Sequence, residues 1–157
     1  MIEKIKNYFI KIATLDSLGN WFFGGVISAL LAIPFLYILQ FLYSKFPYIF
    51  HSIWLGVVLL CLISIYLALK EFKSSIVLHK FIGVMIAFYC VPLTLKIICS
   101  GIVLFYLWDF LIPMIIFKSY DSDELGRIKQ MFYLIIPSIA AGFIVNIFLQ
   151  FVLWIAH

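Results

Sequence analysis

An all-α fold, a polytopic helical bundle built into a membrane, is predicted by three features of the sequence. Of the 157 residues, 66% are apolar and 11% are charged, where soluble domains carry roughly 25% charged residues. The apolar residues fall into runs of about 20, the length an α-helix needs to cross the hydrocarbon core. Lys and Arg are distributed unevenly between those runs, as membrane orientation imposes. About five transmembrane helices in one domain are expected, with four plus a re-entrant helix as the alternative.

Residues 1–20 read as an interfacial amino-terminal segment. Ile2, Ile5, Phe9 and Ile12 recur at helical spacing with Lys4, Lys6, Asn7 and Lys11 mostly on other faces, the pattern of an amphipathic helix lying on lipid headgroups; a merely solvated start is the alternative. Asp16-Ser17 and Gly19-Asn20 supply turn and cap chemistry. The bundle then occupies residues 21–157. Residues 21–42 form the first span, with aromatics at both ends and Pro34 inside; Pro is tolerated there when neighbouring helices satisfy the freed carbonyl. The run is too long for a signal-peptide core and lacks a small-residue cleavage site, so it is expected to stay in the membrane. Residues 49–69 form the second span and 70–75 a polar loop. The apolar stretch that follows is too long for one crossing. Pro92 and Lys96 divide it into a shorter helix at 77–95 and a fuller one at 97–117. Residues 118–130 form a polar loop, and 131–156 the last span.

The count of Lys plus Arg alternates along the chain: three before the first span, then one, three, one, three and none after the last. Short loops rich in Lys and Arg stay in the cytoplasm. This places the amino terminus and the loops at 70–80 and 118–130 inside and the carboxyl terminus outside, in a bacterial inner membrane. The small basic excess belongs to this orientation and excludes nucleic acid as a partner. Cys61, Cys90 and Cys99 lie within apolar runs without metal-ligand spacing and read as packing residues. Asp121, Asp123 and Glu124 lack the twelve-residue ligand pattern of a calcium loop and read as a solvated turn.

Four stretches are candidates for a shared site. Gly25 is followed by Ala32-Ile33-Pro34-Phe35. Ser75-Ile76-Val77 precedes His79-Lys80-Phe81-Ile82-Gly83. Phe105-Tyr106-Leu107-Trp108-Asp109 leads to Pro113. The last is Pro137-Ser138-Ile139-Ala140-Ala141-Gly142. From about Gly24 onward the chain resembles the phosphatidylglycerophosphatase A family. In its motifs a Pro-Gly-Thr-x-Gly-Ser turn, an Asp-Glu-Phe-Ile-Gly run, an aspartate followed by Lys-Pro, and an Asp-Asp-x-x-Ala-Gly run occupy these places. Gly25, Gly83 and Pro113 match the family's binding framework. Asp109 is the retained acid, whereas His79, Lys80 and Ser138 stand where the family has acids.

The resemblance implies an enzyme of glycerophospholipid metabolism. Its reaction is Mg²⁺-dependent hydrolysis of phosphatidylglycerophosphate to phosphatidylglycerol and phosphate. Such a site needs several carboxylates because they hold the divalent cation that bridges to phosphate oxygens. Only Asp109 of five acidic positions remains, so Mg²⁺ binding and ordinary catalysis are expected to be lost, with lipid or partner binding retained. His79 as base or nucleophile, oriented by Asp109 and with Lys80 holding phosphate, is the metal-free alternative.

Asp109 is costly inside a bilayer unless paired, protonated or wetted, and intramembrane acids are functional candidates for that reason. Lys80, His79, Ser138 and Asn146 are its candidate partners, and a lysine in place of an acid supplies internally the positive charge a lost ion would leave missing. The expected partners of the chain are membrane lipids, with phosphatidylglycerophosphate or another anionic phospholipid foremost, a second copy of the chain, or another membrane protein. A small membrane scaffold without phosphatase activity is the competing function. A transporter component using Asp109, Lys96 and Pro92 is a third.

Overall fold

The computed structural model of the chain describes residues 2–15, 23–69, 76–116 and 127–156. Six helices follow in order: α1 (Ile2–Thr14), α2 (Gly24–Lys45), α3 (Pro47–Ala68), α4 (Leu78–Ala87), α5 (Leu95–Ile116) and α6 (Arg127–Ala156). No strand occurs among the described residues. The expected turn at 16–20, the loop at 70–75 and most of the acidic loop lie outside the described residues.

Helices α2, α3 and α5 are 22 residues long and α6 is 30, or about 33 to 45 Å at 1.5 Å per residue. All four are long and apolar enough to cross a membrane. Their outward faces are as apolar as their inward ones. Ile38 and Phe41 on α2, Val103 and Phe110 on α5, and Ile147, Phe151 and Trp154 on α6 are all exposed. Continuous apolar exposure of this extent is untenable in water and is what a bilayer selects. Pro47 opens α3 at its first position, where its missing N–H breaks no helical bond. Phe46 alone separates α2 from α3, so the two form an antiparallel hairpin with Tyr43 edge-on to Phe50.

The bundle is assembled around α4, eight of whose ten residues are buried. Val84, Met85 and Ala87 share one core with Ala29, Ala32 and Leu36 of α2, Phe105 of α5, and Ala141 and Val145 of α6. A second core joins Leu78, Ile82 and Ile86 to Cys61, Ile65 and Ala68 of α3 and to Ile10 and Ala13 of α1.

The third run of chain departs from the helix expected at 77–95. Helix α4 ends at Ala87, and residues 88–94 continue as a turn and an irregular stretch, with Cys90 in the left-handed region at φ 56°. The cause lies on another helix. Asn146 of α6 donates from Nδ2 to the carbonyls of Ala87 (3.1 Å) and Tyr89 (2.9 Å). Those carbonyls therefore do not need a continuing helix. Pro92 then denies the helix a donor.

Ten helical residues rise about 15 Å, half of the hydrocarbon thickness. The irregular stretch carries the chain on to Leu93, whose carbonyl accepts from the Tyr37 hydroxyl of α2 at 2.8 Å. Helix α5 returns antiparallel to this run, since Lys80 meets Asp109, and built-out Cβ atoms at Gly83 and Gly101 would strike Phe105 and Phe88. Helix α6 lies parallel to α4, with Gly142 beside Gly83 and Asn146 beside Ala87. Besides α1, the helices are thus four long ones and one short one, while the chain reverses direction at each step from α2 to α6, as five crossings require.

Candidate functional site

The first turn of α4 is fixed from two sides. The Val77 amide donates to the Ala13 carbonyl of α1 at 3.2 Å, and the Ser28 hydroxyl of α2 donates to the Val77 carbonyl at 2.9 Å. The Val77 amide is one of the N–H groups that a helix leaves without an intrahelical partner at its start, and it is thereby satisfied. One turn on, Lys80 extends its stem along α2, where a Cβ at Gly25 would sit 3.7 Å from Lys80 Cγ.

The Lys80 ammonium forms an ion pair with Asp109 Oδ2 of α5. Ser138 of α6 donates its hydroxyl to the other oxygen, Oδ1, at 2.5 Å. Asp109 and Ser138 are buried, with 6% and 1% of their surface exposed; the Lys80 side chain keeps 23%. The pair is nearly sequestered and charge-balanced, and each carboxylate oxygen has a donor, which a buried ionised acid requires. Pro113 lies one turn beyond Asp109 on α5 and has no amide to return to the Asp109 carbonyl.

Close approach of α4 and α6 makes the cluster possible. A Cβ at Gly83 would lie 2.6 Å from the Ser138 carbonyl and 2.5 Å from the Phe105 ring, and one at Gly142 would lie 2.4 Å from the Gly83 carbonyl. Ser138 and Gly142 are a small-xxx-small pair, the spacing that lets membrane helices touch backbone to backbone. Gly83 is thus a packing residue that seats Ser138 against Asp109. Gly25 contributes its carbonyl, which accepts from the Tyr106 hydroxyl at 2.8 Å.

Lys80, Asp109, Ser138 and Gly25 meet in one place, with Gly83 behind them. His79 does not join them. Successive helical residues project about 100° apart, and His79 is buried with its Nδ1 lacking a hydrogen-bond partner. The expectation that Asp109 orients His79 is corrected: Lys80 and Ser138 occupy both carboxylate oxygens. Asn146, another candidate partner of Asp109, instead closes the end of α4 and is itself held by Gln150 at 2.9 Å.

Sequence reading missed Tyr106 and Ser28. Tyr106 was legible in principle, since it precedes Asp109 by three residues and shares its helical face. A second polar group, around Tyr89, also went unread: its hydroxyl is hydrogen-bonded to His51 Nδ1 at 2.7 Å. Beside it, Gln40, Tyr43 and Cys90 help line a cavity of about 140 Å³ at the far end of the bundle.

The donor set at Asp109 does not fit Mg²⁺. The ion takes one or two carboxylates plus water and substrate oxygens in octahedral array, but here a single carboxylate is already bound to an ammonium and a hydroxyl. No cluster of three or more His, Cys, Asp or Glu side chains exists among the described residues.

Fold and site together define a class: a multi-pass helical membrane protein with a buried, internally neutralised carboxylate at its centre. Compared with protein-family models, curated proteins and solved structures, the chain matches none of them.

Proposed function

We propose that this chain is a divergent relative of the phosphatidylglycerophosphatase A family that no longer hydrolyses phosphate esters, and that Lys80 replaces the divalent cation of the family site. One observation carries the reading. The four stretches that bear the resemblance are separated by up to a hundred residues, yet Gly25, Lys80, Asp109 and Ser138 converge on a single cluster. A buried acid must find donors somewhere in an apolar bundle; that it finds both at other positions of the resemblance is what supports the reading. At the meeting point a fixed ammonium neutralises the one remaining acid, so the positive charge that would grip a phosphoryl group is spent inside the protein.

In this reading the framework survives as a lipid- or partner-binding element of the bacterial inner membrane. The α1 end of the bundle faces the cytoplasm, where the Lys-rich loops belong.

The test is phosphate release from phosphatidylglycerophosphate by the purified full chain in mixed micelles, with and without Mg²⁺. Release no greater than that of the Asp109→Asn variant is expected under both conditions. Mg²⁺-dependent release that Asp109→Asn abolishes would overturn the proposal.

A further inference from the structure

We infer that a cavity between α3 and α6 binds an uncharged, membrane-dissolved carbonyl compound of the quinone class, with the Trp54 indole as its hydrogen-bond donor. The cavity, of about 230 Å³, is lined by Trp54 of α3, Ile86 of α4, Tyr89, and Phe143 and Asn146 of α6. The Trp54 indole nitrogen is buried and has no hydrogen-bond partner among the described residues. The other polar side chains of the lining are committed. The Tyr89 hydroxyl is bonded to His51 Nδ1. Asn146 Nδ2 donates to two backbone carbonyls, and its Oδ1 accepts from Gln150. An indole N–H can only donate, and a buried donor without an acceptor is rare unless water or a ligand meets it. The cavity therefore asks its occupant for an acceptor oxygen.

Depth and shape choose among acceptors. Trp54 stands seven residues from the Pro47 end of α3 and Asn146 ten residues from the Ala156 end of α6, about 10 and 15 Å along their axes. That depth is within hydrocarbon, and Phe143 of the lining is 57% exposed there. Phospholipid phosphates and esters stay at the interface, so the occupant is one that dissolves among acyl chains. Water fits poorly. The space holds several molecules, each of which needs about three hydrogen bonds, while the lining leaves free only the indole proton and one lone pair of Asn146 Oδ1. A flat ring carbonyl needs no more than the indole proton. Its ring would meet the three aromatic side chains of the lining, Trp54, Tyr89 and Phe143, and aromatic rings attract one another by face and edge. Tyr89 is fixed for this contact, with its ring 4.9 Å from that of Trp54 and stacked at 5.7 Å on Phe50. None of these residues belongs to the Lys80–Asp109–Ser138 cluster, so the site stands or falls independently of the proposed loss of hydrolysis.

The experiment uses the purified full chain in detergent micelles, with ¹⁵N in its four tryptophans and decylubiquinone as the probe. Each indole N–H signal is assigned by the corresponding Trp→Phe variant. The Trp54 signal is expected to move downfield in a saturable titration while the other three stay in place. Trp54→Phe keeps an aromatic ring but loses the donor, and should weaken one-to-one binding, counted by native mass spectrometry, about 3- to 10-fold. Trp154→Phe, at a side chain 76% exposed, should leave binding unchanged. n-Decylbenzene has the ring without oxygen and 1-decanol the oxygen without the ring; each should bind roughly threefold more weakly or worse. Should Trp54→Phe fail to fold, its signal is assigned by elimination and the titration of the parent decides. A Trp54 signal indifferent to the probe, an equal response of all four indoles, or 1-decanol binding as tightly as decylubiquinone would refute the assignment. Rapid exchange of the Trp54 N–H with bulk water in the absence of the probe would refute it too, by making the cavity a hydrated one.

Discussion

Lys80→Met takes an ammonium away from a carboxylate for which it is the one ion-pair partner among the described residues. Asp109 is 6% exposed, and the Ser138 hydroxyl on Oδ1 solvates only one side of it. Removing one partner of a buried pair costs about 3 to 5 kcal/mol. The Lys80 side chain retains 23% exposure, so water already screens part of this pair and the lower end of the range, about 3 kcal/mol, applies. Asp109→Asn is milder, about 1 to 2 kcal/mol, because the stranded ammonium can swing its flexible stem toward water. The double variant Lys80→Met/Asp109→Leu removes both charges and should melt close to the parent, since apolar replacement of a whole buried pair is near neutral. The singles and the double are therefore strongly non-additive. Thermal unfolding in detergent, followed by tryptophan fluorescence, reads the series; at about 2 to 4 °C per kcal/mol, Lys80→Met should lose about 6 to 12 °C. A Lys80→Met protein melting within about 1 °C of the parent, on the same scale, would refute the claim that Lys80 neutralises Asp109. So would a double variant as unstable as the sum of the singles.

Two further substitutions test the packing that assembles the cluster. Gly142→Ala places a methyl group 2.4 Å from the Gly83 carbonyl, so α4 and α6 must separate. A loss of about 1 to 3 kcal/mol is expected, whereas Gly56→Ala, with nothing within 4 Å of its Cβ, should be neutral or gain up to about 1 kcal/mol; equal melting of the two would contradict the close contact. Asn146→Ala strips donors from the Ala87 and Tyr89 carbonyls and should cost about 2 to 4 kcal/mol in the same melts. An unchanged transition would mean that residues 88–94 hold their course without α6.

The membrane bundle was readable because its signal is length and composition, which act locally: the expected spans at 49–69, 97–117 and 131–156 became Pro47–Ala68, Leu95–Ile116 and Arg127–Ala156. Asp109 was readable as a residue in need of a partner, and Lys80 as one candidate, because a lone acid in an apolar run is an energetic anomaly wherever the chain folds. The end of α4 was not readable. Nothing at Ala87 or Phe88 stops a helix, and the groups that do so sit 59 residues away on Asn146. His79 was misplaced for a similar reason. Its neighbour Lys80 points at Asp109, and two adjacent helical residues cannot both serve one carboxylate; which of them wins is settled by the rotation of α4 against α2 and α6. Ser138 was marked through the resemblance, but its hydrogen bond depends on the backbone contact between Gly83 and Gly142, which no local pattern announces.

The broken third run has a consequence for how the protein is made. A ten-residue helix that bears a lysine and ends on open carbonyls has no stable resting place in lipid by itself, because unsatisfied backbone groups cost several kcal/mol each in hydrocarbon. Its cap, Asn146, leaves the ribosome only after all of α5 and two thirds of α6 have been synthesised. Residues 76–94 must therefore wait at the translocon or at the bilayer surface until α6 arrives, so the core of the protein is installed last, as a late and concerted step of biogenesis.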